Sequence, residues 1–529
     1  MGGTPMSRGG FARASVLFTG NALTVDNNAF DYTPATIYYF PGTFGWGDSF
    51  SGHLTKPLLS YSQKNGKVSI TGIDQSFMCN HLSLPETLAG LPVTSIGDYA
   101  FFGYATCTSM TIPASVIAIG NSAFYGCTSL TSVTIPDSVT SIEWDAFIYC
   151  TSLISVTIPD SVTSIGSSAF ESCTSLTSVT IGSGVTYIGA RAFSGCTSLT
   201  SVTIPDSVTS INDNMFRNCS SLTSITIPDS VTSIGSFAFE RCTSLTSITI
   251  PASVKTIGSS AFESCTCLTS VTFENDLSNF RASDVFYGTS ITNIVIGNNV
   301  EHIGDYAFRS RTSLISVTIG NNVTSIGAEA FSGCKSLAAV TIPASVTSIG
   351  SSTFYDCTSL TSVTIPNSIT AIGWGTFYHC TSLTSVTIPD SVTTISAYAI
   401  YGCTALVSVL FTGDAPAIDS YAFDTTPATL YYIPAFASTW PSTLAGRPAV
   451  CWNPSFSPAS PPRFTSGTFG FTLAGNPNLP VRIEACDNLA APSWSTHTDT
   501  KLNASGTLDF SDPDASVHPS RFYRITFPQ

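Results

Sequence analysis

The chain has 529 residues, but only 10% of them are charged, against roughly 25% in an average soluble protein, while 43% are hydrophobic. That apolar content with so little charge excludes a disordered chain. A net charge of -14 with only 19 Lys and Arg excludes a phosphate-neutralising nucleic-acid binder, and no apolar run approaches the ~18 residues of a membrane span. Residues Met1–Ala14 lack the apolar stretch of a signal peptide. The segment from Val16-Leu17-Phe18-Thr19-Gly20 to Pro41 recurs from Val409-Leu410-Phe411-Thr412-Gly413 to Pro434, at a constant offset of 393. The second copy follows a repeat array. Residues 1–53 therefore read as the end of a preceding array, in a chain that begins inside a longer gene product; the other reading is a short leader on a cytoplasmic protein.

Residues 54–90 contain Asn65-Gly66 between extended runs, which predicts a β-hairpin. It would cap the first sheet edge and block pairing with another chain. From 91 to 423 the chain is repetitive. Cys127, Cys150, Cys173, Cys196, Cys219, Cys242 and Cys265 are 23 residues apart, as are Cys334, Cys357, Cys380 and Cys403. Gly288 and Arg311 fill the two slots between the series. Phenylalanine marks a second slot, from Phe101 to Phe423, with Ile400 there once, giving fifteen units.

A clear unit runs from Cys150 to Ser172. Leu153, Val156 and Ile158 point inward, and the period of two predicts a strand. Pro159-Asp160-Ser161 is turn chemistry. Val162 and Ile165 form a second extended piece, Gly166 a bend, and Phe170 plugs the core. One unit cannot bury its own apolar face, so neighbours must stack, into a rod or arc of roughly 70 Å at ~4.8 Å per strand. Residues 271–297 depart from the unit: Glu274 replaces Pro, Phe280 the second Ile and Arg281 the Gly, with one residue inserted before Phe286. A bulge or kink is expected there, either a tolerated insertion in an exposed turn or a functional hinge or binding loop. Residues 424–452 terminate the array, 453–462 form a Pro/Ser linker, and 463–529 read as a small antiparallel β-sandwich ending in Arg521-Phe522-Tyr523-Arg524.

The motif C-x-x-L-x-x-[VI]-x-I-P-x-x-[VI]-x-x-I-G-x-x-A-F resembles the BspA-like leucine-rich repeat, the 23-residue bacterial surface-protein type, over about 330 residues. The resemblance implies a repeat solenoid: a leucine-rich-repeat arc with a parallel β-sheet face, here plus the small C-terminal module. It also implies a non-enzymatic surface protein whose relatives bind host or matrix proteins, other cells or glycans. The end of the C-terminal segment looks like modules of secreted proteins that close on an R-F-Y-R strand, here after Leu489 and Trp494.

No catalytic constellation appears, and no cofactor is expected. One thiol per rung makes a column rather than a tetrahedral metal cluster. Stacked parallel side chains rarely reach disulfide dihedrals, so the ladder cysteines read as buried free thiols. Cys451 and Cys486 are candidates for one disulfide across the linker. Asp137, Asp160, Asp206, Asp229 and Asp390 bring one carboxylate per turn, too few for calcium. The strand face repeats Ser and Thr, as at Ser178 and Thr180, and carries little information. The slots around the Phe vary, and aromatics gather late. Trp374, Tyr378, His379, Tyr398 and Tyr401 are the expected partner-binding residues. The function expected is recognition or adhesion by a secreted or cell-surface protein, with a protein or glycan partner, no nucleic acid and no membrane span. A structural spacer within a larger surface protein is the alternative, and an enzyme with a site in the C-terminal module a third reading.

Overall fold

The computed structural model describes residues 15–22, 35–465, 468–518 and 520–528. The leader reading of Met1–Ala14 and the middle of the first recurring segment lie outside the described residues. The chain divides into two compact units, Met1–Val271 with Asp284–Ser290, and Thr272–Ser283 with Ile291–Gln529.

Within the first unit each repeat is one turn of a parallel β-solenoid. Strand Ser155–Ile158 pairs with Ser178–Ile181 in the register Ser155↔Ser178 through Ile158↔Ile181. The second short strand, Ser164–Ile165, pairs with Tyr187–Ile188. The sequence period of 23 is thus the pairing register itself. On a third side the Ala-Phe turn bonds to the next rung, as Phe147 N–H donates to the Ala169 carbonyl at 2.7 Å. Val156 and Ile158 face in while Ser155 and Thr157 face out. Ile181 is only half-buried, although Ile296 and Ile319, also followed by Gly, are buried; nothing in the structure explains the difference. At the start of the array, Leu59–Lys64 and Lys67–Ile73 form an antiparallel hairpin closed at Lys64↔Lys67. Lys67–Ile73 also pairs in parallel with Leu91–Ile96.

The core is an aromatic stack lined by thiols. Phe170 is fully buried, 5.2 Å from Phe147 and 5.6 Å from Phe193, with ring planes within 4° of parallel. Each ladder thiol donates to the carbonyl of the Phe 26 residues earlier, Cys150 Sγ to Phe124 O and Cys173 Sγ to Phe147 O, both at 3.2 Å. Cysteine suits the slot because it is small, apolar and still a weak donor. In the second unit Thr426 Oγ1 makes the same bond to Ile400 O at 2.8 Å. All sixteen cysteines are free, including Cys451 and Cys486. Burial pushes the thiols of Cys173, Cys196, Cys219, Cys242 and Cys380 well above the ordinary range.

The second unit repeats this design. Phe308, Phe331, Phe354 and Phe377 stack at 5.5–5.7 Å. Before them Phe273 and Phe280 tilt against Phe308, at 56° and 52°. The departing repeat carries a single helical turn, Ala282–Val285. The last rungs pair Ser408–Phe411 with Thr429–Tyr432 and Thr429–Tyr432 with Arg447–Cys451. In the first unit Ser15–Phe18 pairs with Thr36–Tyr39 in the same register, 393 positions earlier. Each terminator also seals with a tryptophan. Trp46 stacks on Tyr39 at 5.4 Å, and Trp440 on Tyr432 at 5.2 Å.

The C-terminal module has two antiparallel sheets, one of Ser455–Phe456, Arg463–Thr465, Thr468–Ala474 and Thr507–Asp512, the other of Pro480–Cys486, Ser495–Lys501 and Phe522–Thr526. Ser455 and Phe456 pair with Ala474 and Leu473, so the stretch that reads as a linker runs along the module. The module shares an apolar cluster with Leu410 and Tyr431 of the last rungs. Its terminal Arg-Phe-Tyr-Arg strand is held by carboxylates. Arg521 Nη1 and Tyr523 Oη donate to buried Asp512 at 3.0 and 2.6 Å, and Arg524 Nε donates to Glu484 at 2.6 Å.

Candidate recognition surface on the solenoid flank

Backbone pairing consumes the sheet, and on the approach to it many hydroxyls are also consumed. Thr177, Thr200 and Thr223 each donate to the carbonyl one rung earlier, at 3.0–3.3 Å. The side chain after each core Phe is different, because it meets no strand-pairing constraint; some members, such as Ile148 and Glu240, are buried and others are exposed. Down the first unit that column reads Phe102, Tyr125, Ile148, Glu171, Ser194, Arg217, Glu240, Glu263, Tyr287. In the second it reads Arg309, Ser332, Tyr355, Tyr378, Tyr401, Asp424. In the first, Arg217 Nε meets the buried Glu240 carboxylate at 2.8 Å, with Arg241 at 3.5 Å.

In the second unit the column becomes a tyrosine stack. Tyr355 lies 4.5 Å from Tyr378, with planes 5° apart, and Tyr378 lies 4.8 Å from Tyr401. His379 packs against Tyr378 at 4.3 Å and Tyr401 at 5.8 Å. Tyr398 sits edge-on to Trp374, Tyr378 and Tyr401. The five expected residues therefore form one cluster. Trp374 is 47% exposed; Tyr378, His379, Tyr398 and Tyr401 are half-buried. Partial burial, then the neighbouring Tyr355 and Tyr401, raises the pKa of the Tyr378 hydroxyl. Two members were missing from the sequence expectation. Tyr355 extends the stack upward, and Tyr421, 54% exposed, stacks on Tyr398 at 5.8 Å. The signal for both was the 23-residue spacing to Tyr378 and Tyr398.

His379 and Tyr398 have φ of 55° and 59°, in the left-handed region. One rung on, the slot of His379 holds Gly402, and one rung back, that of Tyr398 holds Gly375, both also at positive φ. Glycine adopts this backbone at least cost. Both slots are left-handed along the array, with Tyr149 and Arg241 in the first and Tyr99, Phe237 and Tyr306 in the second, so this backbone belongs to the repeat itself.

One cleft adjoins this cluster, and a second shares Arg309 with it. One, of about 270 Å³, is lined by Arg309, Glu329, Ser332, Ser352, Tyr355 and Trp374. The other, of about 390 Å³, is lined by Arg281, Ser283, Tyr306, Arg309, Ser310 and Arg311. Arg311 stands in the cysteine slot, and desolvation lowers its guanidinium pKa. Among the described residues no group of three His, Cys, Asp or Glu is placed to hold a metal, and no helix is long and apolar enough to cross a membrane.

The model of the BspA type leucine rich repeat region matches in six copies, over residues 94–209, 186–315 and 301–429. Among solved structures, a leucine-rich repeat protein from Bacteroides ovatus is 29% identical, over 64% of this chain and 94% of that one, with a TM-score of 0.44. The T. pallidum leucine rich repeat protein is 33% identical, over 36% of this chain and 88% of that one, with a TM-score of 0.34. A leucine rich cell surface protein from Faecalibacterium prausnitzii is 28% identical, over 75% and 94%, with a TM-score of 0.35. No curated protein matches the chain. With its 23-residue register, its stacked Phe core and a family match over more than half its length, the chain belongs to the BspA type leucine-rich repeat proteins.

Proposed function

We propose that this is a non-enzymatic recognition protein, secreted or displayed at a cell surface, that binds a protein or glycan partner through the flank of its solenoid. One observation carries the reading. The column after the core Phe changes chemistry from rung to rung and gathers stacked tyrosines at Tyr355, Tyr378 and Tyr401, while the sheet face repeats Ser and Thr. Specific recognition needs a surface that differs from its neighbours, and rigid aromatics give contact area at small entropic cost. The surface location is supported by the repeat type, which is that of bacterial surface proteins.

The test is adhesion of the full chain to immobilised extracellular-matrix proteins and glycans. Replacing Trp374 and Tyr378 by Ala is expected to weaken binding by about 2 kcal/mol or more, the size of a hot-spot loss. Replacing Thr364 and Thr387 by Arg is expected to change it little. Loss with the sheet variants alone would move the site to the sheet, and a wild-type chain that binds nothing would favour the spacer.

A further inference from the structure

We propose that the two clefts sharing Arg309 form a subsite for an acidic sugar, a sulfated or carboxylated unit of a glycan; this rests on the flank being the recognition surface. The chain carries 19 Lys and Arg against 33 Asp and Glu, yet Arg281, Arg309 and Arg311 converge on one cleft with no carboxylate in its lining. Their placement is organised. The Arg281 and Arg309 guanidinium carbons lie 4.8 and 5.4 Å from the centre of the Tyr306 ring. Arg281 Nη1 donates to the Asp305 carbonyl at 2.9 Å, which fixes its reach. Arg281 itself falls in the slot that Gly258 and Gly304 hold in the flanking rungs, so the irregular repeat is what delivers a cation here. Planar guanidiniums match the oxygens of carboxylate or sulfate groups.

The adjoining cleft supplies what a sugar ring needs. Arg309 pairs with Glu329 at 3.2 Å, which leaves carboxylate oxygen for ring hydroxyls. Ser332 and Ser352 line this cleft and are each 6% exposed. Their hydroxyls can donate to and accept from the hydroxyls of a sugar ring that fills the cleft. Trp374 gives the apolar wall. A peptide carboxylate would occupy the arginine cleft and leave the serines and Glu329 unused, which is why the observations favour a glycan.

The experiment measures retention of the full chain on a heparin-type sulfated glycan and a polyuronate, beside neutral dextran and polyglutamate. The expected result is binding to one or both acidic glycans, little to dextran or polyglutamate, and at least a tenfold loss on Arg281→Gln with Arg311→Gln. Ser332→Ala with Ser352→Ala should also weaken glycan binding while leaving thermal unfolding unchanged. If the arginine variant unfolds early, the serine variant alone decides. Equal binding to polyglutamate, no binding to either acidic glycan, or variants that bind like wild type would overturn the proposal. If acidic glycans fail but Tyr378→Ala and Tyr401→Ala still abolish adhesion to a matrix protein, the flank stands as the recognition surface and only this subsite falls.

Discussion

Raising the pH above about 8.5 is expected to unfold the solenoid in a cooperative step that releases its ladder thiols together. Burial pushes Cys265, Cys334 and Cys403 up to about 12 and raises the other ladder thiols as well, whereas an unfolded thiol titrates near ~8.5. The sign follows directly. Below ~8.5 both states are protonated and stability is at its full value. Above it the unfolded chain loses protons that the folded chain keeps, and stability falls until the folded thiols titrate. Each thiol contributes roughly 1.4 kcal/mol per pH unit in that window. Eleven together approach ~15 kcal/mol per unit, comparable with the whole stability of an ordinary domain. Circular dichroism and thiolate absorbance should therefore change in one step between about pH 9 and 10, and modification of the unfolded chain without reductant should recover at least the eleven ladder thiols. Ladder thiols that titrate near 8.5 with the fold intact, or that prove to be disulfide-bonded, would contradict the buried column.

Phe170→Ala should cost ~3–5 kcal/mol, because the ring is fully buried and its removal leaves a cavity between two stacked neighbours. Phe170→Ile should cost markedly less, since Ile400 holds the equivalent slot and is itself fully buried. Urea unfolding of the three proteins measures both, and equal costs would mean that the slot does not depend on filled volume. Because rungs contact only their neighbours, the loss should appear first as local opening around the substituted rung.

The repeat architecture was legible because one period sets everything. A residue and its partner one rung on are 23 positions apart in sequence, so Cys150 and Cys173, or Phe147 and Phe170, declare their contact. The aromatic cluster was legible for the same reason, as were the free thiols, whose column geometry excludes a metal cluster. What escaped the reading lies where the period fails. Arg281 reaches Tyr306 through an irregular turn whose length no repeat predicts, so its cleft with Arg311 was invisible. Trp46 and Trp440 seal equivalent ends but sit 394 positions apart, just outside the constant offset. The C-terminal strands pair antiparallel over long separations, as Arg482 with Thr526, and nothing periodic announces the partner. The left-handed backbone at His379 and Tyr398 shows in sequence only by comparison with Gly402 and Gly375.

The central claim is that the flank, and not the sheet, meets the partner. Hydroxyl-radical footprinting of the full chain, free and bound to whichever matrix protein or glycan retains it, tests that claim most directly. Trp374, Tyr378 and Tyr398 report the flank. Ile315 and Val407, 51% and 62% exposed, immediately precede strands Ser316–Ile319 and Ser408–Phe411 and report the sheet. The account predicts protection of Trp374, Tyr378 and Tyr398 in the complex, with Ile315 and Val407 oxidised as before. Protection of Ile315 and Val407 with the three aromatics unchanged would contradict it.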